Sequence, residues 1–411
     1  MTSDPSASVS SIRFGNRRLV GQSRAREQIV QAVDSGRLSH AWLLSGPEGS
    51  GKTAFALAFA ELLNGIENLS ELGDARNSRK SSWRNHPDIH LFLPIPSSLA
   101  INEHARAREM KERLNLLEED PYEIVNFAQR PSLDDGDFSK NLQAFYPIKY
   151  FSDHIRKTSF HKPNEGDYTV VILIGVETMG NEAANAFLKL LEEPPPNLVF
   201  LLTTTGREKL LPTLLSRCQQ IRFNPLSDQE ITDALIRYDG RDPAQAEWLA
   251  RVASGNYTMA RNFDPEALEQ GRRELISFLR RAYIQDASNL IPVIRQWHNK
   301  LNTENQIGLC NTLELLLRDL MIYRQTEDPS LITNIDQLEV IRKFCESLQD
   351  ARLDDMIRSL AEARQLIGRN VQFKIVFTTL AFRFFNLMRG IDPVIPDFEE
   401  WKHLPAQTDI L

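Results

Sequence analysis

The chain has 411 residues, enough for about two or three domains, and its 42% hydrophobic and 25% charged residues are typical of a soluble globular protein. No apolar run approaches the ~20 residues that span a membrane, and Met1–Ser6 lacks the features of a secretion signal, so a cytoplasmic location is expected. With a net charge of −7, any nucleic-acid contact must come from a local basic patch. Cys218, Cys310 and Cys345 lie far apart and predict neither a disulfide nor a metal cluster.

Residues 46–53 read Gly-Pro-Glu-Gly-Ser-Gly-Lys-Thr, a complete P-loop. An apolar run, Ala41–Ser45, precedes the loop and a helix-forming segment, Ala54–Leu63, follows it, which is the order that the motif requires. The glycines let backbone N–H groups face a phosphate, Lys52 is expected to reach the β- and γ-phosphates, and the Thr53 hydroxyl is expected to ligate Mg²⁺. The predicted residues for binding ATP or ADP are Gly46, Pro47, Glu48, Gly49, Ser50, Gly51, Lys52 and Thr53. A glycine-rich turn with a chance Lys-Thr pair is the alternative, which the complete motif disfavours.

The segment before Pro225 alternates apolar strands with helical patterns, which predicts a parallel α/β sheet. The predicted strands are Ala41–Ser45, Ile89–Leu93, Val170–Ile174 and Val199–Thr204. Residues 97–146 interrupt this order and are rich in charge. We interpret them as an inserted exposed helix plus a loose loop, and a solvated surface is favoured over a binding role.

The strand after the insertion, in Val170–Glu177, lacks the acids that a P-loop hydrolase normally carries. Such an enzyme ends this strand with an Asp, often followed by a Glu, and here those places fall on Ile174 and Gly175. The chain is therefore predicted to hold a phosphate without hydrolysing ATP efficiently. Substitution by Glu177 or Asp167 stays open, although Glu177 lies two residues past the expected place and is expected to start the next loop.

Strand patterns end at Ser227, and the rest of the chain is predicted to be helical. Ser227 followed by Glu230 predicts a capped helix start, and Ile231–Tyr238, Pro243–Ala253 and Tyr257–Asn262 predict a small helical group. Longer amphipathic helices follow, and their apolar faces need bundle or subunit partners. They are predicted at Leu268–Gln285, Ile291–Leu301, Ile307–Gln325, Ile335–Gln349, Asp354–Ile367 and Phe373–Met388. The predicted domains are residues 1–225, 226–264 and 265–395, with a tail at 396–411.

Several blocks together resemble bacterial clamp-loader subunits of the AAA+ class, specifically in residues 19–65 and 148–225. Two of these blocks resemble the delta-prime branch, namely Asn85–Asp88 and Asn370–Val376. The others are Val20–Gln22, Gly36–Ala41, Asn181–Pro195 and Leu211–Cys218. The resemblance implies an α/β P-loop domain with a parallel sheet, followed by a small helical lid and an α-helical collar.

The resemblance also implies a role. In that family five related subunits form an open ring, and delta-prime is a rigid stator that supplies an arginine to the ATP site of a neighbour. That arginine corresponds to Arg217, which stays charged and offers a planar fork to phosphate oxygens. A surface arginine in a loop is the alternative, which the flanking Ser216 and Cys218 disfavour. The implied partners are gamma/tau-type and delta-type loader subunits, with the sliding clamp and primed DNA reached through the complex.

Two further family features are absent. The second sensor arginine of the motor subunits falls on Thr258, which removes a charge that would sense phosphate. Many delta-prime proteins carry four cysteines as a zinc module, but the segment 64–85 has no cysteine and places Ser78, Ser81 and Ser82 there instead. Because hydroxyls do not replace thiolates on zinc, we predict no metal, and His86 and His90 are then interpreted as structural.

The leading hypothesis is a structural clamp-loader subunit that is not an active ATPase by itself. The second is an active gamma/tau-like loader ATPase or another DNA-dependent AAA+ ATPase, which the missing acids disfavour. The third is a free-standing nucleotide-binding regulator, which would not need a helical collar. Two basic clusters could touch a phosphate backbone, although a solvated surface is the favoured interpretation of each. They are Arg13, Arg17 and Arg18, and Arg76, Arg79 and Lys80.

Overall fold

The computed structural model describes residues 18–36, 38–64, 82–127, 130, 133, 143–301, 303–332, 334, 337–369 and 371–391. They form two compact units that divide between Asn262 and Phe263. The first contains a parallel α/β sheet and the second is helical, which confirms the predicted fold class. The domain boundaries at 225, 264 and 395 stay predictions. No helix in the described ranges is both long and apolar enough to cross a membrane.

The sheet of the first unit has five parallel strands in the order β2-β5-β6-β1-β7, and a short antiparallel pair, β3 and β4, lies apart from it. The strands are β1 (Ala41–Ser45), β2 (Ile89–Phe92), β3 (Ile95–Pro96), β4 (Ala144–Phe145), β5 (Thr169–Leu173), β6 (Leu198–Thr204) and β7 (Gln219–Arg222). The four strands predicted from the sequence are confirmed to within one residue at each end.

Strand β7 was not predicted. It lies at the edge of the sheet and pairs only with β1, and Ile221 is the one fully buried residue in it. A strand with a single buried side chain has no apolar run, and that run is the signal by which buried strands are predicted.

The carboxyl ends of the central strands meet at one edge of the sheet. Ser45 pairs in register with Thr204 on one side and with Arg222 on the other. Beyond the strand, the Gly46 amide donates a hydrogen bond to the Thr204 carbonyl at 3.2 Å. Ligands of open parallel sheets bind at this edge, so the register fixes where the P-loop can act.

Helices cover the sheet and form a small group after it. The helices of the first unit are α1 (Ser23–Asp34), α2 (Lys52–Leu63), α3 (Ser97–Ile101), α4 (Glu103–Glu119), α5 (Ile148–Tyr150), α6 (Lys157–Ser159), α7 (Asn181–Glu192), α8 (Pro212–Leu215), α9 (Asp228–Asp239), α10 (Pro243–Ala253) and α11 (Tyr257–Asn262). A π-helical turn, Phe151–Arg156, joins α5 to α6, and short 3₁₀ turns lie at Val176–Thr178 and Arg207–Lys209. The predicted capping box at the start of α9 is confirmed, with Ser227 and Glu230 each accepting the other's backbone N–H.

The interpretation of the insertion as an exposed helix with a loose loop is wrong for the segment that follows α4. Arg113 of α4 is fully buried, donates to the Val125 carbonyl at 2.9 Å, and lies 3.7 Å from the centre of the Phe127 ring. Tyr122 and Val125 are buried as well. Residues 128–129, 131–132 and 134–142 of the predicted loop lie outside the described residues. The insertion is therefore partly core, held by an arginine that local charge patterning assigns to the surface.

The second unit is a helical bundle. Its helices are α12 (Pro265–Tyr283), α13 (Ala287–Lys300), α14 (Thr303–Thr326), α15 (Leu338–Ser347), α16 (Leu353–Gly368) and α17 (Phe373–Leu387), with a 3₁₀ turn at Pro329–Leu331. Phe278, Trp297 and Phe377 contact one another in the core, with ring centres 5.7–5.9 Å apart. Helix α13 begins four residues before the prediction because the Asp286 side chain caps it by accepting from the Asn289 amide.

Candidate nucleotide site

The P-loop joins β1 to α2 and needs two of its glycines. Gly49 and Gly51 have φ values of +65° and +91°, a conformation that residues with side chains rarely adopt. A Cβ atom on Gly49 would also lie 1.6 Å from the side-chain oxygen of Asn256. The Ser50 hydroxyl stabilises the turn by donating to the Pro47 carbonyl at 2.7 Å. The loop thus depends on glycine for both backbone conformation and space.

Lys52 is buried and its ammonium group bonds to the loop itself. The nitrogen donates to the Gly46 carbonyl at 2.9 Å and also to the Pro47 carbonyl. Burial lowers the Lys52 pKa to about 8, although Glu48 and Glu177 act to raise it. The predicted contact with β- and γ-phosphates therefore requires the ammonium to exchange backbone carbonyls for phosphate oxygens.

We expect ADP binding to weaken as the pH rises through the Lys52 pKa. A bound phosphate favours the ammonium form, so affinity should be retained below pH 8 and fall by up to ~10-fold per pH unit above it. Calorimetric titration with ADP at pH 7, 8 and 9 measures this change. Lys52→Met removes the titrating group and should bind weakly and without this pH dependence. Equal affinity of the wild-type chain at pH 7 and pH 9 would contradict the expected role of Lys52.

The P-loop opens into a cavity of about 140 Å³ that is built from five segments of the first unit. This is smaller than the ~300 Å³ at which ordinary ligand pockets begin. The lining includes Glu48, Gly49, Gly51, Lys52 and Thr53 of the loop, the segment 121–126, Ile174, Gly175 and Glu177 after β5, Thr203, Thr204 and Thr205 at the end of β6, and Thr258.

The two positions of the missing acids do line the cavity. Ile174 and Gly175 carry no group that can hold a metal ion or activate water, and the Ile174 carbonyl accepts from the Tyr146 hydroxyl at 2.7 Å. Glu177 also reaches the cavity, because Gly175 adopts a φ of +65° and begins the 3₁₀ turn Val176–Thr178. Glu177 lies in the loop after β5, as expected, and the turn in that loop also brings it to the cavity.

Glu177 is held at the end of β6. One carboxylate oxygen accepts from the Thr205 amide at 3.0 Å and from the Thr205 hydroxyl at 2.7 Å. The second oxygen is buried and has no hydrogen-bond partner among the described residues. The Glu177 carboxylate acts to raise the pKa of Lys52 against the larger effect of burial. A motif search that is aligned on the end of β5 misses this carboxylate, because the 3₁₀ turn after β5 brings Glu177 back to the cavity.

The helical group contacts the loop directly. The Tyr257 amide donates to the Gly49 carbonyl at 3.2 Å, and Asn256 packs where a Gly49 side chain would lie. Thr258 lines the cavity at the position that the resemblance assigns to a sensor arginine. Threonine has no charge, so it cannot neutralise a γ-phosphate.

Arg217 lies apart from this cavity, just after helix α8, and its side chain is 34% exposed. Its guanidinium donates to a Glu192 carboxylate oxygen at 2.8 Å and to the Thr213 carbonyl at 2.9 Å. Glu192 is the last residue of α7, so a salt bridge joins two of the blocks that carry the family resemblance, Asn181–Pro195 and Leu211–Cys218. The neighbouring Cys218 is buried, and burial raises its thiol pKa to about 12, which keeps it a neutral packing group.

The predicted structural role of the histidine block has a local explanation. The carboxylate of Asp88 accepts backbone N–H bonds from Asn164, Glu165 and Gly166 at 2.7–2.8 Å, and the Asp88 amide donates to His86 Nδ1 at 3.2 Å. Burial alone would raise the Asp88 pKa, but these donors outweigh it and lower the pKa. The block therefore fixes the loop before β5.

Other predicted sites fall on residues that the structure leaves undescribed. They are Ser78 and Ser81 of the zinc segment, together with Arg13, Arg17, Arg76, Arg79 and Lys80 of the basic clusters. Arg18 is described and does not form a free basic patch, because its guanidinium pairs with Asp120 at 2.6 Å and with Asp239 at 2.7 Å. No cluster of three or more potential metal-binding side chains occurs among the residues described.

A five-stranded parallel sheet with a P-loop at its carboxyl edge, followed along the chain by a helical unit, defines the P-loop class of α/β proteins. Two family models match the chain, "DNA polymerase III, delta subunit" at residues 21–227 and "DNA polymerase III, delta subunit, C terminal" at residues 266–384. The chain therefore belongs to the DNA polymerase III delta subunit family. This confirms the resemblance to clamp-loader subunits that the sequence blocks indicate.

Individual relatives agree with this family. Subunit delta' of DNA polymerase III from Bacillus subtilis (strain 168) is 25% identical over 353 residues, which cover 85% of this chain and 92% of that protein. Subunit gamma from Buchnera aphidicola subsp. Schizaphis graminum is 27% identical over 300 residues, 73% of this chain but only 62% of the relative. A gamma subunit-related protein of DNA polymerase III from Thermotoga maritima superposes over 88% of this chain and 99% of that chain, at 15% identity and a TM-score of 0.38, which is too low to support inference.

Proposed function

We propose that the chain is a delta-prime-like structural subunit of a DNA polymerase III clamp loader and supplies Arg217 to the ATP site of a neighbouring subunit. The observation that carries this proposal is the pair Ile174 and Gly175, which line the cavity where a hydrolase places its acids. Without those acids, metal ion support and water activation are both weakened. The match to subunit delta' over 92% of that protein agrees with the same role.

The surroundings of Arg217 support a function in trans. The side chain is partly exposed and its one carboxylate partner, Glu192, is 51% exposed, so solvent screens the salt bridge and makes it weak. A phosphate on a neighbouring subunit carries more charge than Glu192 and presents oxygens to the same fork. Exchange of Glu192 for a γ-phosphate therefore needs no rearrangement of the fold, only a rotation of the side chain.

The P-loop in this proposal binds ADP or ATP with Mg²⁺ as a structural ligand. Glycine conformations, the Lys52 ammonium and the Thr53 hydroxyl fit a phosphate and its metal ion. Binding energy from these groups does not depend on the missing acids, so binding without hydrolysis is chemically consistent. Lys52 and the loop amides hold the phosphates, and Thr53 holds the ion.

A second candidate, an active gamma/tau-like ATPase, is favoured by one observation. Glu177 places a carboxylate with one unpartnered oxygen in the cavity, among the described residues, and could act as the base for a water molecule. Against this, Glu177 is held by Thr205 and the sensor position is an uncharged threonine. The structural role therefore leads, and Glu177 gives the alternative a definite test.

The partners in this proposal are gamma/tau-type and delta-type loader subunits of the same bacterium, with the clamp and primed DNA contacted through the cytoplasmic complex. We expect the full chain to co-elute with those subunits in size-exclusion chromatography, with one copy per complex by mass photometry. Exposed apolar side chains on the helical unit, such as Ile375 and Phe382, are available for such assembly. A chain that stays monomeric with both partner types at micromolar concentration would favour a free-standing regulator instead.

A further inference from the structure

A short segment of the insertion lies across the P-loop cavity. We call residues 120–127 the strap. Five of its residues besides Tyr122 line the cavity, and Asp120 at its start is held by a salt bridge. The Tyr122 side chain is almost fully buried beneath it. The strap therefore brings an aromatic side chain to the P-loop site.

Tyr122 contacts both the P-loop and the segment that precedes α1. Its hydroxyl oxygen accepts from the Val20 amide at 2.8 Å, and a Cβ atom on Gly51 would lie 3.1 Å from the same oxygen. Its ring packs edge-on against Tyr257, with centres 4.9 Å apart. A flat aromatic group with one hydrogen-bond acceptor, set between an amide donor and a second ring, has the chemical character of a nucleoside base.

Both ends of the strap are anchored by arginines. Asp120 pairs with Arg18 at 2.6 Å and also with Arg261, and these two arginines pair in turn with Asp239 at 2.7 and 2.9 Å. At the other end, the buried Arg113 holds the Val125 carbonyl. Arg18 and Arg261 each pair with both Asp120 and Asp239, so the charges of these four side chains compensate one another.

We propose that Tyr122 controls access to the P-loop, filling the nucleoside half of the cleft and leaving a cavity that admits a pyrophosphate-sized anion. This rests on the proposed nucleotide binding and names the residue that limits it. The 140 Å³ that remains is less than half of the ~300 Å³ at which ordinary ligand pockets begin, so a whole nucleotide does not fit beside the closed ring. A nucleotide binds only after the strap lifts and Tyr122 gives up the Val20 amide, so the apparent affinity is reduced by the fraction of open strap.

The test is calorimetric titration of the full chain with ADP and, separately, with inorganic pyrophosphate. Tyr122→Ala should raise ADP affinity by about 10-fold or more, because no closed fraction remains to be opened. Pyrophosphate affinity should change by less than about threefold, because that ligand does not use the space of the ring. Tyr122→Phe keeps the ring and loses only the acceptor, so its gain for ADP should be the smaller of the two.

Two further variants keep the outcome interpretable. Tyr168→Ala removes a half-buried tyrosine of the same unit outside the cavity lining and should leave both affinities unchanged. Asp120→Asn keeps Tyr122 but weakens the salt bridges that anchor the strap, so it should also raise ADP affinity. This variant replaces Tyr122→Ala in the test if Tyr122→Ala does not fold. If the wild-type chain binds ADP and folded Tyr122→Ala binds it equally or more weakly, Tyr122 does not control access to the P-loop. The proposed nucleotide binding would then still stand. No ADP binding by any variant at millimolar concentration would overturn both.

Discussion

Arg217→Ala is expected to slow ATP hydrolysis by the reconstituted clamp loader while leaving its assembly intact. The guanidinium would face charge that develops on a neighbour's γ-phosphate, and removal of such an arginine in trans costs ~10³–10⁵-fold in rate at the affected site in related phosphoryl transfers. Arg217 is partly exposed, so the chain itself should lose less than ~0.5 kcal/mol of stability. The measurement is loader ATPase activity with clamp and primed DNA, at matched amounts of assembled complex.

Arg251→Ala is the matched control. Its side chain is 35% exposed against 34% for Arg217, and it also pairs with one exposed glutamate, Glu247. It should leave turnover unchanged. Glu192→Gln removes the charge partner of Arg217 without removing the guanidinium, so it should preserve turnover. If Arg217→Ala leaves turnover unchanged across ATP concentrations, Arg217 is not the arginine supplied in trans.

The isolated chain is expected to show no ATPase activity above background. Ile174 and Gly175 provide neither a metal ligand nor a base, and Thr258 provides no charge. The barrier to hydrolysis is then lowered only by the loop and Lys52, which position phosphates without activating water. Steady-state phosphate release from purified chain, with and without primed DNA, measures this directly.

Two variants decide what any residual activity means. Lys52→Ala should leave background phosphate release unchanged, because a contaminating ATPase does not depend on this lysine. Turnover comparable to that of motor subunits and abolished by both Lys52→Ala and Glu177→Gln would establish the second candidate, with Glu177 as the base. Turnover abolished by Lys52→Ala alone would still contradict the expected inactivity and would exclude Glu177 as its source.

The strands and the P-loop could be predicted because their signals are local. An apolar run followed by a glycine-rich loop and a helix former specifies β1, the loop and α2 within some twenty residues, roughly the extent of the motif's own pattern. Strand β7 could not be predicted in the same way, because only Ile221 is buried and the strand forms by pairing with the distant β1. Edge strands owe their place to the sheet and not to their own composition.

The site was predicted in part. The absence of acids at Ile174 and Gly175 followed from the sequence, but Glu177 reaches the cavity only through the turn at Gly175. Tyr122 had no sequence signal, and Arg18 was placed in a basic cluster, without its acidic partners. The partners of these two side chains lie 102 to 239 positions away along the chain. Contacts of this kind depend on how the insertion folds against the segment before α1 and against α11, which charge patterning cannot predict.

The central claim, that the chain is a structural subunit of a clamp loader, is tested most directly by omitting it from a reconstituted loader and measuring clamp loading onto primed circular DNA. Loading should fall to background without the chain, return with wild-type chain, and return equally with Glu177→Gln, because a structural subunit performs no hydrolysis of its own. Full loading without the chain would contradict the claim, and loading that Glu177→Gln fails to restore would show that the chain acts as a motor.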